Sequence, residues 1–201
     1  TVLDDLSTGK QEKLPDGATL IIGDVRDRPL VDRLIAENDG CFHLAAVASV
    51  VRCIEDWFDS HLINQSATVN ILEAASRHDN VPVVYTSSAA VYGEANSLPI
   101  PESLPAAPIS GYGVDKYGCE LQAKVAGVTF GVPTVGLRLF NVFGPGQDPD
   151  SPYSGVISIF NHRLREGRNL VIHGDGQQTR DFIYVKDVVR AFQAAMLHVS
   201  V

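Results

Sequence analysis

Basic charge is scarce in this chain. Sixteen lysines and arginines face 24 aspartates and glutamates, a formal net charge of −8. With no basic stripe to neutralise phosphates, nucleic acid is excluded as the main partner. Cysteine is scarcer still: Cys41, Cys53 and Cys119 are odd in number and form no CxxC pair. A disulfide framework is therefore not expected, and a reducing, cytoplasmic setting is. The six histidines are scattered without an HxxxH or Cys/His cluster, so no metal is expected and each histidine is read as a surface or capping residue. The longest apolar run, "LAAVASVV" from Leu44 to Val51, is far too short to span a bilayer, and "TVLDDLSTGK" lacks the basic flank and apolar core of a signal peptide. A glycine-rich phosphate turn is missing as well. "GYG", "GPGQ" and "GDGQ" contain Gly-x-Gly, but none follows a strand, opens a helix and continues to a third glycine, so all three are read as turns.

What remains is a globular composition, 45% hydrophobic and 20% charged over 201 residues, with no internal repeat. Strand-length apolar runs alternate with helical patterns. "TVLDDLS", "TLIIGDV", "CFHLAA", "VPVVYTSS", "PTVGLRLF" and a short "NLVIHG" read as strands. Helices are expected over "RPLVDRLIAEN" (apolar at Leu30, Leu34 and Ile35), over 55–78 (Leu62, Val69, Leu72 and Ala75), after the Pro-rich loop 99–108, near 155–166 and from about 186. Strands apolar on both faces, alternating with helices, predict an α/β fold: a doubly wound parallel sheet. The expected division is a nucleotide-binding domain over 1–145 and the start of a substrate-binding region over 146–201. Because the glycine turn should precede the first acidic strand end by about 20 residues, the fold is expected to lack its first strand, phosphate loop and helix, and most of its C-terminal substrate domain.

Several residues fit the adenosine end of a dinucleotide. Asp4 ends a strand, where a carboxylate accepts from ribose hydroxyls; Asp5 follows without an adjacent arginine, which favours NAD over NADP. A carboxylate pair that only opens a turn is the competing reading. "GDVRD" places Asp24 and Val25 at the next strand end, and "FHLAA" ends in Ala45 and Ala46, small enough for a cofactor to approach the backbone.

In "SGYGVDKYG", Tyr112 and Lys116 stand four positions apart and share a helix face. A nearby cation lowers a phenol's pKa, the condition for tyrosine to act as a base. Ser88, ending "VVYTSS", is placed to donate a hydroxyl across the same crevice.

"LDDLSTG", "GDVRD", "FHLAA", "YTSSAAVYGE", "YGVDK", "RLFNVFGPGQ" and "GDGQQTRDFIYVKDV", in this order, resemble the extended short-chain dehydrogenases/reductases, and among them the NAD-dependent nucleotide-sugar epimerases and dehydratases. The resemblance covers essentially the whole chain and implies a Rossmann-type fold with Ser88, Tyr112 and Lys116 as catalytic triad. It also implies NAD lined by Asp4, Asp24, Val25, Leu44, Ala45 and Ala46. Asn64 falls in the cofactor-side network, although a structural asparagine fits that helix as well. Phe140 and Asn141 fall beside nicotinamide and diphosphate. Arg180 is implied to grip the diphosphate with its guanidinium fork, against the alternative of an ion pair to Asp181 or Asp187. Family dehydratases carry acids after the catalytic serine, for proton transfer in elimination; here Ala89 and Ala90 follow Ser88, as in 4-epimerases. A UDP-sugar substrate and a homodimer built on the Asn64 and Tyr112 helices complete the expectation. A reductase, a dehydratase or an inactive NAD-binding protein is the alternative.

Overall fold

A computed structural model describes residues 1–95, 97–149, 151, 154–172 and 174–199. Its elements run β1 (Val2–Asp4), β2 (Leu20–Ile22), α1 (Arg28–Ala36), β3 (Cys41–His43), α2 (Val50–Glu55), α3 (Trp57–His61), α4 (Ala67–Arg77) and β4 (Val83–Ser88). They continue with α5 (Gly111–Val125), β5 (Thr134–Leu139), β6 (Asn141–Phe143), α6 (Val156–Arg165), β7 (Phe182–Tyr184) and α7 (Val185–His198). Every strand pair is parallel: β1 with β2, β3–β4–β5 as a three-stranded sheet, and β6 with β7.

β4 shows why the sheet is doubly wound. Val83 and Tyr85 enter a core built with Val31 and Ile35 of α1, Ile71, Leu72, Ala74 and Ala75 of α4, and Cys119 and Ala123 of α5. Val84, between them, points to the other face and packs with Val188 and Phe192 of α7. Period-two alternation thus sends successive apolar side chains into two helical layers. Leu3, Val25 and Cys41 pack against the first core, which brings the β1–β2 pair onto the same helices.

Local signals set the helices. Asp27 caps α1 by accepting from the Leu30 amide at 3.1 Å, and Pro29 occupies its first turn. The core residues of α1 are Val31 and Ile35; Leu30 and Leu34 are only half-buried. The expected long helix over 55–78 is interrupted by a π-turn at Leu62–Ser66. That turn adds a residue and shifts the helical phase, so Leu72 and Ala75 are buried while Val69 faces outward.

Other expectations needed correction. "GYG" is the first turn of α5 rather than a loop. Residues 169–172 of the expected strand "NLVIHG" form no strand, and His173 lies outside the described residues. The short strands β6 and β7 and the helix α2 were not anticipated.

Candidate active site

Ser88 ends β4, and its Oγ accepts from the Ala90 amide at 3.2 Å, capping a 3-10 turn over Ala89–Tyr92. Facing it is the start of α5, where Ser110 Oγ accepts from the Gly113 amide at 3.1 Å. The two segments meet because position 113 has no side chain: a Cβ there would lie 2.7 Å from the Ala90 carbonyl oxygen and 3.1 Å from Pro108 Cβ. This approach brings the Tyr112 phenol close to the Ser88 side chain, which favours the ionised form of the phenol. One turn along α5, Lys116 is 3% exposed, and its Nζ donates to the Thr86 carbonyl at 3.1 Å and to Thr86 Oγ1 at 3.2 Å. The ammonium lies 5.9 Å from the centre of the Tyr112 ring.

The expected electrostatics are modified by burial. Desolvation raises the Tyr112 pKa above the ordinary phenol value, and the Ser88 side chain opposes this only in part. Desolvation likewise lowers the Lys116 pKa. The lysine therefore lies one turn from the phenol, but in the free chain burial leaves the Tyr112 pKa raised.

Below Lys116 lies a buried polar network. Asn64, fully buried in the π-turn, accepts from the Val47 amide at 2.7 Å and donates to the Val47 carbonyl at 3.2 Å. The Asn64 carbonyl accepts from Thr68 Oγ1 at 3.0 Å and from the Cys119 thiol at 3.2 Å. His43 Nε2 lies 3.0 Å from Thr68 Oγ1. His43 is thus neither a surface nor a capping residue: it sits in β3, and burial first, then the Lys116 charge, pushes its pKa down to about 3. Burial likewise pushes the thiol of Cys41, in the same strand, up to about 11.

At the other end of the sheet, Asp4 Oδ1 accepts from the Leu6 amide at 2.7 Å. Gly9 is folded against this carboxylate, so closely that a Cβ would lie 2.7 Å from Oδ1 and 2.9 Å from Oδ2. The Asp24 carboxylate receives Arg26 through Nε and Nη2, at 2.9 and 2.6 Å, and that partner's hydrogen bond is the main cause of its lowered pKa. The Val25 carbonyl accepts from Asn70 at 3.0 Å. Leu44 and Ala45 are exposed and Ala46 is half-buried just before Val47, so Asn64 holds the loop that carries them. These features fit a dinucleotide: an aspartate at the end of β1, the small residues Ala45 and Ala46 just after β3, and a tyrosine–lysine pair on α5. The glycine turn that would receive its diphosphate is not in this sequence.

Phe140 links β5 to β6. Asn141 Nδ2 donates to the Asp181 carbonyl at 3.0 Å, joining β6 to the start of β7. Arg180 is exposed, donates to the Thr179 carbonyl at 2.7 Å, and has no carboxylate partner among the described residues. Asp187 pairs with Arg190 instead. A cleft of about 620 Å³ lies beside β6, between the 144–149 loop and α6, with Asn161, His162 and Arg165 on its wall. Arg138 is not on this wall; it is paired with Glu120, which continues the Tyr112–Lys116 spacing on α5.

A parallel α/β sheet with serine, tyrosine and buried lysine at the carboxyl end of its central strand defines a short-chain dehydrogenase/reductase. The chain belongs to the NAD dependent epimerase/dehydratase family, whose match extends over residues 1–201. It is 37% identical over 201 residues to the UDP-glucose 4-epimerase of Mycolicibacterium smegmatis, covering 96% of this chain and 64% of that protein. The structure of a UDP-glucose 4-epimerase from Thermotoga maritima with UDP-glucose superposes with a TM-score of 0.92 at 33% identity, covering 96% of this chain and 64% of that one. A UDP-N-acetylglucosamine 4-epimerase from Methanobrevibacter ruminantium M1 gives the same TM-score, 0.92, at 38% identity, covering 97% and 64%. The chain therefore spans just under two thirds of the length of these relatives.

Proposed function

We propose that this chain carries the NAD-binding and catalytic part, residues 1–145, and the start of the substrate-binding region, residues 146–201, of a cytoplasmic NAD-dependent 4-epimerase acting on a UDP-sugar. The observation that carries this reading is Tyr112 facing Ser88 and one turn from buried Lys116, on a Ser88-Ala89-Ala90 segment that offers no carboxylate for elimination.

NAD, when bound, would supply the hydride acceptor and donor for C4 of the sugar, with no net redox change. The chain's own residues handle the proton and the orientation. Tyr112 Oη, as phenolate, takes the proton from the 4-hydroxyl, becoming the phenol, and later returns it, while Ser88 Oγ donates to the same sugar oxygen. The Lys116 ammonium stabilises the phenolate that must be present before the proton is taken, and donates toward the ribose. Asp4 orients the adenosine ribose, Asp24 and Val25 meet the adenine edge, and Leu44, Ala45 and Ala46, held by Asn64, flank the dinucleotide. Phe140 lies beside nicotinamide, and Asn141 and Arg180 bind the sugar diphosphate.

A homodimer completes the reading. Ile54, Trp57 and Phe58 on α2–α3 and Val114, Leu121 and Val125 on α5 are exposed, and an apolar surface of this kind marks an interface. Sedimentation should give a dimer that Trp57→Glu converts to monomer. Unchanged association in that variant would remove these helices from the interface.

The deciding experiment is proton NMR of a UDP-sugar panel incubated with NAD and this chain, alone and within a polypeptide of its relatives' full length. Interconversion of a 4-epimer pair without NADH release, abolished by Tyr112→Phe, is the expected result. Loss of water from the sugar would assign a dehydratase, and net consumption of reduced cofactor a reductase. NAD binding without any turnover would leave a binding protein.

A further inference from the structure

Arg138 and Glu120 form a side-on fork in a half-buried setting: Nε to Oε1 at 2.8 Å and Nη2 to Oε2 at 2.7 Å, with 26% and 18% of the two side chains exposed. The Arg138 guanidinium also lies 4.7 Å over the Tyr92 ring, a cation–π contact. Ser87 Oγ donates to the same Glu120 carboxylate at 2.5 Å. Ser87 and Arg138 are direct cross-strand partners in the β4–β5 register.

The positions of these contacts matter more than their number. Ser87 immediately precedes Ser88, and Tyr92 closes the 3-10 turn that Ser88 caps. Both ends of the segment carrying Ser88 are thus tied to one ion pair, and the acid of that pair is on α5, one turn beyond Lys116 and two beyond Tyr112. A buried ion pair is weak grounds for stability, because apolar groups of the same volume often serve as well. What a guanidinium–carboxylate fork adds is direction: both partners are held in one plane, and further groups accept or donate at fixed angles.

Building on the assignment of Ser88, Tyr112 and Lys116 as the reacting site, we propose that Glu120 and Arg138 are positioning residues that hold the Ser88 turn and the Tyr112–Lys116 helix in one frame and so set the contact between the Ser88 hydroxyl and the Tyr112 phenol. Neither residue touches the reacting atoms. Their effect passes through Ser87 and Tyr92 on one side and through α5 on the other.

The test reads the phenol directly, without turnover. A fluorinated tyrosine at position 112, whose phenol ionises near neutral pH, is followed by fluorine NMR during titration of the intact chain and of Glu120→Gln, Arg138→Gln and Arg138→Lys. The groups around that phenol are the Ser88 hydroxyl, the Lys116 ammonium and the thiols of Cys53 and Cys119; all remain in every variant. If the pair acted on Tyr112 only through its charges, removing the acid would lower the phenol pKa and removing the arginine charge would raise it. Positioning instead predicts an upward shift in both, of at least about half a pH unit as the Ser88 contact is lost. Arg138→Lys, which keeps the charge and gives up the fork, should move it the same way. Shifts of opposite sign, or none in variants that still fold, overturn the proposal. Because the phenol titrates whether or not the chain turns over sugar, failure of the epimerase reading would leave this result intact. Where turnover is measured, kcat should fall about tenfold or more with KM little changed, the pattern of an interaction made only in the transition state.

Discussion

His43 makes the protein acid-sensitive by an amount that can be worked out. In the unfolded chain its imidazole titrates at about 6.5; in the fold, burial and then the Lys116 ammonium bring it down to about 3. The sign follows from which state binds the proton first as pH falls. Below about 6.5 the unfolded chain becomes protonated while the folded one does not, so stability is full above that pH and is lost progressively down to about 3. Each pH unit in this window costs about 1.4 kcal/mol, so His43 alone should remove about 2 kcal/mol between neutrality and pH 5. A typical domain has about 5–15 kcal/mol of stability in all, so the loss is large enough to measure. Urea unfolding at pH 7.5, 6.5, 5.5 and 5.0 on the intact chain and on His43→Gln measures it. Glutamine can still hydrogen-bond the Thr68 hydroxyl, which lies 3.0 Å from the imidazole, but it does not titrate. The variant starts from a lower stability at neutral pH, and its curve should then fall about 2 kcal/mol less than the parent's on the way to pH 5. Parallel curves, or an imidazole found by NMR to titrate at its ordinary value, would refute the reasoning.

Two further substitutions probe the geometry of the site. Gly113→Ala puts a methyl 2.7 Å from the Ala90 carbonyl oxygen, so α5 and the Ser88 turn must separate; a loss of about 1–3 kcal/mol in urea unfolding is expected, and unchanged stability would mean the two segments do not meet as described. Asn64→Ala leaves the Val47 amide without its 2.7 Å partner and its carbonyl with only the Cys53 thiol at 3.4 Å. It should cost about 1–3 kcal/mol and speed hydrogen exchange at the Val47 amide, and an amide equally protected in the variant would show that Asn64 does not hold the 44–47 loop.

Most of the site lies where the sequence was easiest to interpret, and the reason is physical. Strand β4 opens on Val83, Val84 and Tyr85, buried on both faces, and α5 has a serine cap and fifteen residues of helix, so pattern and structure agree there. The pattern failed where elements are too short to show a period. β6 and β7 have three residues each, one following β5 after a single break at Phe140, the other running directly into α7. Their pairing is decided by each other, through Asn141, Val142 and Phe143 against Phe182, Ile183 and Tyr184, a contact between segments far apart in sequence. α2 was concealed within an apolar run, although Ser49, which accepts from the Arg52 amide at 3.1 Å, marks its start. His43 was misjudged by residue type. Its place inside a strand expected to be buried was the better indicator, and burial decides its chemistry.

The inward face of α5 shows what apolar packing alone could not achieve here. Tyr112, Lys116 and Glu120 recur every four positions, and each meets a different polar group of one strand: Ser88, Thr86 and Ser87. Apolar residues along that face would bury as much area but would allow the helix to slide or rotate against β4, because the hydrophobic effect has no direction. Polar contacts at three successive turns favour one register. The cost is visible in the same residues: desolvation opposes the charged form of Lys116 and of Tyr112, and Asp115, 2% exposed beside Lys116, has one oxygen on His61 at 2.7 Å and the other without a partner. A fold selected for stability alone would not bury an ammonium, a phenol and two carboxylates on or beside one helix face. Strain and unpaired polarity persist only where the surrounding structure holds them in place, and groups of this kind concentrate at functional sites.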